Sequence, residues 1–351
     1  MDITLPTQPV PKTNHALAVS KLVNGIFPDL FIDYIGQTNA KKRIEFYLHS
    51  YLQTRHIPNI LLTSQKGNGK TKLARTIAQG LLKFDENGEL EFNNEMQMPR
   101  RKKLIEINCS VLRTTTVNDF LSTWIVPKVV DKDVTVFFDE ASEISHDITM
   151  ALLTILNPNQ IKTQFSYRDY VCNFDLTRQT FIFGTSEPQK IFHALTDRLK
   201  RIDLADYTHD EIAAIIQNGA KNIKFNDNIL NEIAFVSRGN ARNAQDYASE
   251  VKTYLGKETG EFGLNNWNEL KSILSIAPLG LNSTEINILK CLRDAPNGIS
   301  LTALSAKLGL SRESVQRDYE LFLMKNGLIT VEPAKGRVLT AHGSEYLNNL
   351  K

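Results

Sequence analysis

The chain has 351 residues, with 41 Lys and Arg against 39 Asp and Glu, for a net charge of +2. That balance, with an ordinary apolar share, fits a soluble globular protein of two or three domains, and any nucleic-acid surface has to be local. No run approaches the roughly 20 apolar residues of a membrane span. Residues 1–14 lack the apolar centre of a signal peptide. Cys109, Cys172 and Cys291 are scattered, make no metal-type spacing and suit a reducing interior.

In chain order, residues 1–26 read as an arm with a short helix over 16–23 and no assigned chemistry. A helix over 39–54 follows from the spacing of Ile44, Tyr47, Leu48 and Tyr51. Tyr34 and Ile35 precede it, where a segment ahead of a nucleotide loop can wrap an adenine; packing in the core is the compatible plainer reading.

Ile60-Leu61-Leu62 reads as a buried strand, residues 64–69 as a tight turn, and Thr71 onward as a helix with Leu73, Ala74, Ile77 and Ala78 on one face. Strand, glycine turn and helix in that order make a phosphate site. Gly67, Asn68 and Gly69 let successive N–H groups point inward, and the helix N-terminus adds its positive dipole end. Lys70 reaches the β- and γ-phosphates of ATP, Thr71 ligates Mg²⁺, and Lys72 continues the loop. Ser64 stands where G-x-x-x-x-G-K-[ST] has its first glycine, a cost if that position needs positive φ.

Residues 84–103 are polar and end in Arg100-Arg101-Lys102-Lys103, which reads as a nucleic-acid contact or, more plainly, a solvated loop. Strand-like alternation resumes at 104–108, and residues 117–126 read as a helix. Val134-Thr135-Val136-Phe137-Phe138 is a strand that delivers Asp139 and Glu140 at its C-terminal end, the edge where parallel α/β sheets bind ligands. Asp139 is suited to hold Mg²⁺ through water, and Glu140 to orient or deprotonate the attacking water. Residues 161–176 alternate as a projecting hairpin with Arg168-Asp169 as its turn. Residues 180–186 form another buried strand, whose Thr185 and Ser186 can bond a γ-phosphate or serve as ordinary turn residues.

Arg198, in Asp197-Arg198-Leu199-Lys200-Arg201, matters if the protein assembles, because an arginine aimed across a subunit contact neutralises transition-state charge on a neighbour's nucleotide. On its own it is an ordinary surface ion-pair former. Residues 208–255 are helical in pattern, and Arg242 heads a helix that can fold back over the phosphates. After Pro278 the pattern changes to helices over 284–292, 299–308 and 311–323, then two short strands flanking 332–336. Two helices across a turn plus a wing make a DNA-binding module in which Arg312, Gln316, Arg317, Lys335 and Arg337 face phosphate; protein docking is the alternative use of that module.

Together these segments resemble the RuvB family, the hexameric ATP-driven motor of Holliday-junction branch migration, over residues 27–347. Residues 28–37 are similar to the family's adenine-side motif, with Phe27 in place of its arginine. Residues 64–71 match the phosphate loop in frame, with Ser-Gln-Lys in place of Gly-Pro-Pro. Asp139-Glu140 matches the acidic pair. Gly184-Thr185-Ser186 matches the γ-phosphate-sensing strand end, with Ser186 favoured as the sensor. Leu195-Thr196-Asp197-Arg198-Leu199 resembles the segment carrying the trans-acting arginine, and its register selects Arg198 over Arg201. Arg238-Gly239-Asn240-Ala241-Arg242 resembles the lid motif, whose last arginine is the second sensor, and Lys335-Gly336-Arg337 the wing tip, with Glu332 where the family is usually basic.

The resemblance implies an AAA+ α/β parallel-sheet ATPase domain (27–205), a small helical lid (206–277) and a C-terminal winged-helix domain (278–351). It also implies ATP and Mg²⁺, a homo-hexameric ring on DNA, a RuvA-like partner at the 161–176 hairpin, and a cytoplasmic setting. The stretch around 85–101 reads as an insertion, which points to a divergent lineage such as a phage or mobile element. A clamp-loader or origin-licensing type of ATP switch is the rival expectation.

Overall fold

In the computed structural model, the described residues are 30–85, 87–93, 98–157, 163–167, 170–174, 176–226, 228–256 and 259–350. The expected helix over 16–23 and the Arg168-Asp169 turn lie outside them. The described chain forms two compact units. One comprises the residues up to Glu211 with Asn240–Arg242, the other Ile212–Gly239 with the residues from Asn243 onward.

The first unit is built on a five-stranded sheet of β1 (Ile60–Thr63), β2 (Lys103–Asn108), β3 (Val134–Asp139), β6 (Thr180–Thr185) and β7 (Lys200–Asp203), in the order β2-β3-β6-β1-β7. All four neighbouring pairs are parallel. The three central strands are buried along almost their whole length, as their uninterrupted β-branched and aromatic runs require of a sheet covered on both faces. On one face, helices α1 (Thr38–Thr54) and α2 (Lys70–Gly80) bury Ile44, Leu48, Leu73 and Ile77 against Leu62 and Phe137. On the other, α3 (His146–Ile155) and the short α4 (His193–Thr196) bury Ile148, Leu152 and Leu195 against Phe138 and Phe183, whose rings stack at 4.8 Å. The hairpin strands β4 (Thr163–Tyr167) and β5 (Tyr170–Phe174) pair antiparallel, outside this sheet.

The described part of residues 84–103 is not the solvated loop that its polarity suggests. Leu82 bridges Arg101, Phe84 bridges Leu90 and Phe92 bridges Pro99, a compact ribbon. Leu82, Phe84 and Leu90 face the core, and Arg55 lies on the Phe84 ring at 3.4 Å. The basic run divides accordingly. Lys102 is buried, ion-paired with Asp133 at 2.9 Å and donating to the Arg178 carbonyl at 2.7 Å, whereas Arg100 and Arg101 stay exposed. Lys102 thereby ties the ribbon to the starts of β3 and β6.

The second unit holds α5 (His209–Gly219) from Ile212 onward, α6 (Ile229–Val236), α7 (Ala241–Leu255) from Asn243 onward and α8 (Leu264–Ile273). A small parallel pair joins β8 (Ile223–Phe225) to β9 (Gly260–Phe262). Then come α9 (Ser283–Arg293), opened by an Asn282/Glu285 capping box, and α10 (Leu301–Leu308), closed by Gly309 at φ 68°. The next helix, α11, runs through Arg312–Ser314, Val315–Glu320 and Leu321–Lys325, with its middle segment wound wider in π fashion. Strands β10 (Ile329–Glu332) and β11 (Gly336–Leu339) form the expected wing, followed by α12 (Ala341–Asn349). Leu289, Leu304, Leu323 and Leu347 meet in one core. Among the described residues, no helix is long and apolar enough to cross a membrane.

Lys102→Ala should cost about 3–5 kcal/mol, because it leaves the Asp133 carboxylate next to the core without its partner. Lys102→Met combined with Asp133→Leu should fall close to wild type; denaturant unfolding compares the two.

Candidate functional site

Parallel pairing sends β1, β3 and β6 out of the sheet at the same edge. Thr63 stands beside Thr185, and Asp139 beside Gly184 on one side and Asn108 on the other. The turn after Thr63 is left-handed at Gly67 (φ 84°) and Gly69 (φ 87°), and not at Ser64. The serine substitution therefore falls where no glycine conformation is needed. Gly67 is required twice over, since a Cβ there would overlap the Asn240 amide.

Lys70 closes the turn. Its Nζ donates to the Ser64 carbonyl at 3.0 Å, the Ser64 hydroxyl at 3.2 Å and the Gln65 carbonyl at 3.0 Å. Burial pushes its pKa down to about 8. Arg242 and Lys66 act in the same direction, and Asp139 and Glu140 oppose them. Lys70 is thus a charge held ready beside the turn, whose acceptors a polyphosphate would replace.

Thr71 Oγ1 donates to Asp139 Oδ2 at 2.9 Å. This hydroxyl–carboxylate pair beside Lys70 has the oxygen donor set suited to Mg²⁺, to be completed by water and phosphate oxygens. Among the described residues, no group of three or more His, Cys, Asp or Glu could hold a metal unaided. Glu140 projects from a left-handed position (φ 56°) and is exposed. Its Oε2 accepts from the Ser110 hydroxyl at 3.2 Å, and Asn108 in turn accepts from the Ser110 N–H at 3.0 Å. Sequence reasoning missed Ser110; its position just past β2, next to the acidic strand, was the available signal.

Ser186 lies half-buried just beyond β6 at the same edge. Thr185 is fully buried, and its hydroxyl accepts from the Glu187 N–H at 2.9 Å. That bond turns the chain after β6 and uses one of the two acceptor positions of the hydroxyl. Lys72 Nζ donates to the Asp33 carbonyl, so the group it offers toward the turn is its backbone N–H. Asn68 is buried with its amide on Asp206 at 3.1 Å, so its contribution is also main-chain.

On the adenine side, Tyr34 is buried and donates to the Gly69 carbonyl at 3.2 Å, while Ile35 is half-buried. Burial, with Tyr207 beside it, raises the Tyr34 pKa. Its phenol braces the turn rather than offering a face to a base. Tyr207, which sequence reasoning did not single out, donates to the Asn68 carbonyl at 3.4 Å. Gln37 pins the chain beside it, exchanging two hydrogen bonds with Ala205 at 2.7 and 2.9 Å. Asn240 donates to the Lys66 carbonyl at 2.9 Å, and the Arg242 N–H donates to the Gly67 carbonyl at 3.2 Å. The second sensor candidate is thus anchored on the turn through its backbone, its exposed side chain close enough to depress the Lys70 pKa.

Arg198 lies elsewhere. It lies two residues before β7, at the edge where the strands begin, and lines a cleft of about 420 Å³ with His56, Asn59, Gln179 and Phe181. Its Nη1 donates to the Ala194 carbonyl at 2.7 Å, and its buried Nε has no hydrogen-bond acceptor among the described residues. The length of the sheet, about 13 Å for the four residues of β1, separates it from the turn in its own chain.

In the winged-helix module, Arg312, Gln316 and Arg317 are exposed on α11. Lys335 is exposed and paired with Glu332 at 2.9 Å. Arg337 is held within the fold. It forks onto Glu320 at 3.1 to 3.2 Å, with the two side chains only 13% and 9% exposed, and its backbone pairs with Ile299. A guanidinium forked onto a buried carboxylate braces the wing.

The ATPase family associated with various cellular activities (AAA) matches residues 60–207, and the RuvB C-terminal winged helix domain matches residues 278–348. The Holliday junction branch migration complex subunit RuvB of Mycoplasmopsis pulmonis is 25% identical over 334 residues, spanning 93% of this chain and 98% of the relative. Its counterpart in Fervidobacterium nodosum is 25% identical over 331 residues, spanning 91% and 88%. The Thermotoga maritima RuvB Holliday junction branch migration motor superposes with a TM-score of 0.68 at 22% identity, over 90% of this chain and 95% of its own, a likeness of fold. The chain is a divergent member of the RuvB family, in which a nucleotide-binding AAA ATPase domain precedes a RuvB-type winged helix.

Proposed function

We propose that this protein is an ATP-driven DNA motor that moves four-way junctions in recombination and repair, working as a homo-hexameric ring. The observation that carries the reading is the placement of Arg198 at one edge of a sheet whose other edge holds Lys70, Thr71, Asp139 and Glu140. A head-to-tail contact between copies brings the two edges together and completes one site from two chains.

In that site the N–H groups of the turn and Lys70 bind the β- and γ-phosphates of ATP, while Thr71 and Asp139 hold Mg²⁺, which neutralises phosphate charge. Glu140, steadied by Ser110, accepts the proton of the attacking water. Ser186 contacts the γ-phosphate from the end of β6, and Arg198 of the adjacent subunit meets the charge that develops there. Arg242 senses the change, residues 206–277 serve as the lid, and residues 278–351 carry the DNA. Arg312, Arg317 and Lys335 neutralise DNA phosphates. The β4–β5 hairpin is the docking element for a RuvA-like junction-binding partner. The setting is a cytoplasm, bacterial or that of a host if the chain is phage-encoded.

Purified protein with ATP and Mg²⁺ should drive a labelled four-way junction processively, and Glu140→Gln should bind ATP yet hydrolyse it about 10²–10⁴-fold more slowly. Binding of the junction without movement would favour an ATP switch. Mixing Arg198→Ala with Lys70→Ala subunits should restore part of the ATPase that each lacks alone; mixtures as inactive as their components would count against the shared site. Arg312→Gln, Arg317→Gln and Lys335→Gln together should flatten the log–log salt dependence of DNA affinity by about 0.9 for each phosphate left without its cation. Arg337→Gln should instead lower the melting temperature. An unchanged slope in the triple variant would favour protein docking by the wing.

A further inference from the structure

Arg238 takes a left-handed backbone conformation (φ 57°) just after α6, and its side chain is 18% exposed. Nη1 and Nη2 donate to the two carboxylate oxygens of Glu285 at 2.6 and 2.7 Å, Nη2 also donates to the Gly280 carbonyl, and the guanidinium lies 3.7 Å from the Phe322 ring centroid. Glu285 is fully buried, and it also accepts from the Asn282 N–H at 2.9 Å as half of the cap on α9. One guanidinium therefore joins the end of α6, the turn before α9, the α9 cap and the face of α11.

A buried ion pair is an inefficient source of stability, since desolvating both charges offsets most of their attraction. What a planar fork onto a carboxylate does supply is a fixed orientation. The orientation fixed here is that of the winged helix relative to α6, inside one compact unit. Two residues further along the chain, a reach of at most about 7 Å, Asn240 bonds the Lys66 carbonyl, and Arg242 bonds the Gly67 carbonyl.

We infer that Arg238 and Glu285 are the positioning pair through which the phosphate turn and the winged helix are coupled. Asn240–Arg242 follow the turn as its occupancy changes, and the clamp at Arg238 hands that displacement to the DNA-carrying module without slack. The inference rests on the motor reading above and adds to it the residues that transmit the stroke.

The test measures ATP hydrolysis with and without a four-way junction for wild type, Arg238→Lys, Glu285→Gln and the double variant, alongside melting temperatures. Hydrolysis without DNA should stay within twofold of wild type, stimulation by the junction should fall at least tenfold, and the double variant should be no worse than either single. Retained stimulation overturns the inference, as does a fall in DNA-free hydrolysis equal to the fall with DNA. Single effects that multiply in the double variant overturn it too. If the charge variants do not fold, Phe322→Leu, which keeps the ion pair and removes the stacked ring, decides: stimulation at least threefold lower supports the coupling, and full stimulation overturns it. Wild type that hydrolyses ATP but ignores junctions overturns the motor reading and this inference with it, a failure visible before any variant is made.

Discussion

The register of three parallel strands is the constraint on which the rest depends. β1, β3 and β6 are apolar on both faces, so a slip by one residue would not trade a buried face for a wet one, and alternation cannot set their alignment. The polar groups at their C-terminal ends supply what alternation lacks. Thr63 donates to Asp203 on β7, Thr71 donates to Asp139, and the Ser64 N–H reaches the Thr185 carbonyl. A slipped strand would withdraw one of these groups from its partner and bury it unpaired, at a cost of about 1–3 kcal/mol each. Thr71 and Asp139, the pair suited to Mg²⁺, thus also fix the helix after the turn against the end of β3.

A parallel sheet has two chemically different edges, unlike an antiparallel one, where strand ends alternate. Here one edge gathers the glycine turn and two carboxylates, and the other holds the half-buried Arg198 at a cleft where no described residue accepts from its Nε. Such polarity lends itself to a heterologous contact, edge of one copy on edge of the next, which closes into a ring when the rotation per copy divides the circle. On the motor reading, assembly and catalysis are the same event: the charge on Arg198 meets a polyphosphate only where a neighbour presents one.

What the sequence disclosed were contiguous arrangements. The glycine turn, the Asp139-Glu140 pair, the helix-turn-helix and the wing are each written in a few adjacent residues, because their geometry depends on local φ and ψ and on short-range periodicity. What it concealed were partners. Arg337 looks like a wing cation until Glu320, 17 positions earlier, is found beside it, and Lys102 is one of four adjacent cations until Asp133 accepts it. Tyr207 reaches Asn68 across 139 positions and Asn240 reaches Lys66 across 174. Charge and aromaticity can be read from one position, but whether a side chain is spent on the fold or left for a ligand depends on a contact that no periodicity encodes. The bridged pairs Leu82–Arg101, Phe84–Leu90 and Phe92–Pro99 were hidden for a related reason, since the core-facing Leu82, Phe84 and Leu90 are diluted by charges.

The departures at 64–66 bear on whether the site turns over at all. A phosphate cradle fails when a side chain forces an N–H away from the anion, and a left-handed conformation at a non-glycine residue costs about 1 kcal/mol. In this turn the left-handed positions are Gly67 and Gly69, and Ser64 is neither of them. Ser64 even contributes, because its hydroxyl and carbonyl both accept from Lys70 and hold the ammonium beside the turn. Gln65 and Lys66 are exposed, and their carbonyls, rather than their side chains, meet Lys70 and Asn240. On the motor reading the departures thus fall on positions that act through the backbone, while Thr71, Asp139 and Glu140 keep the groups proposed there for hydrolysis.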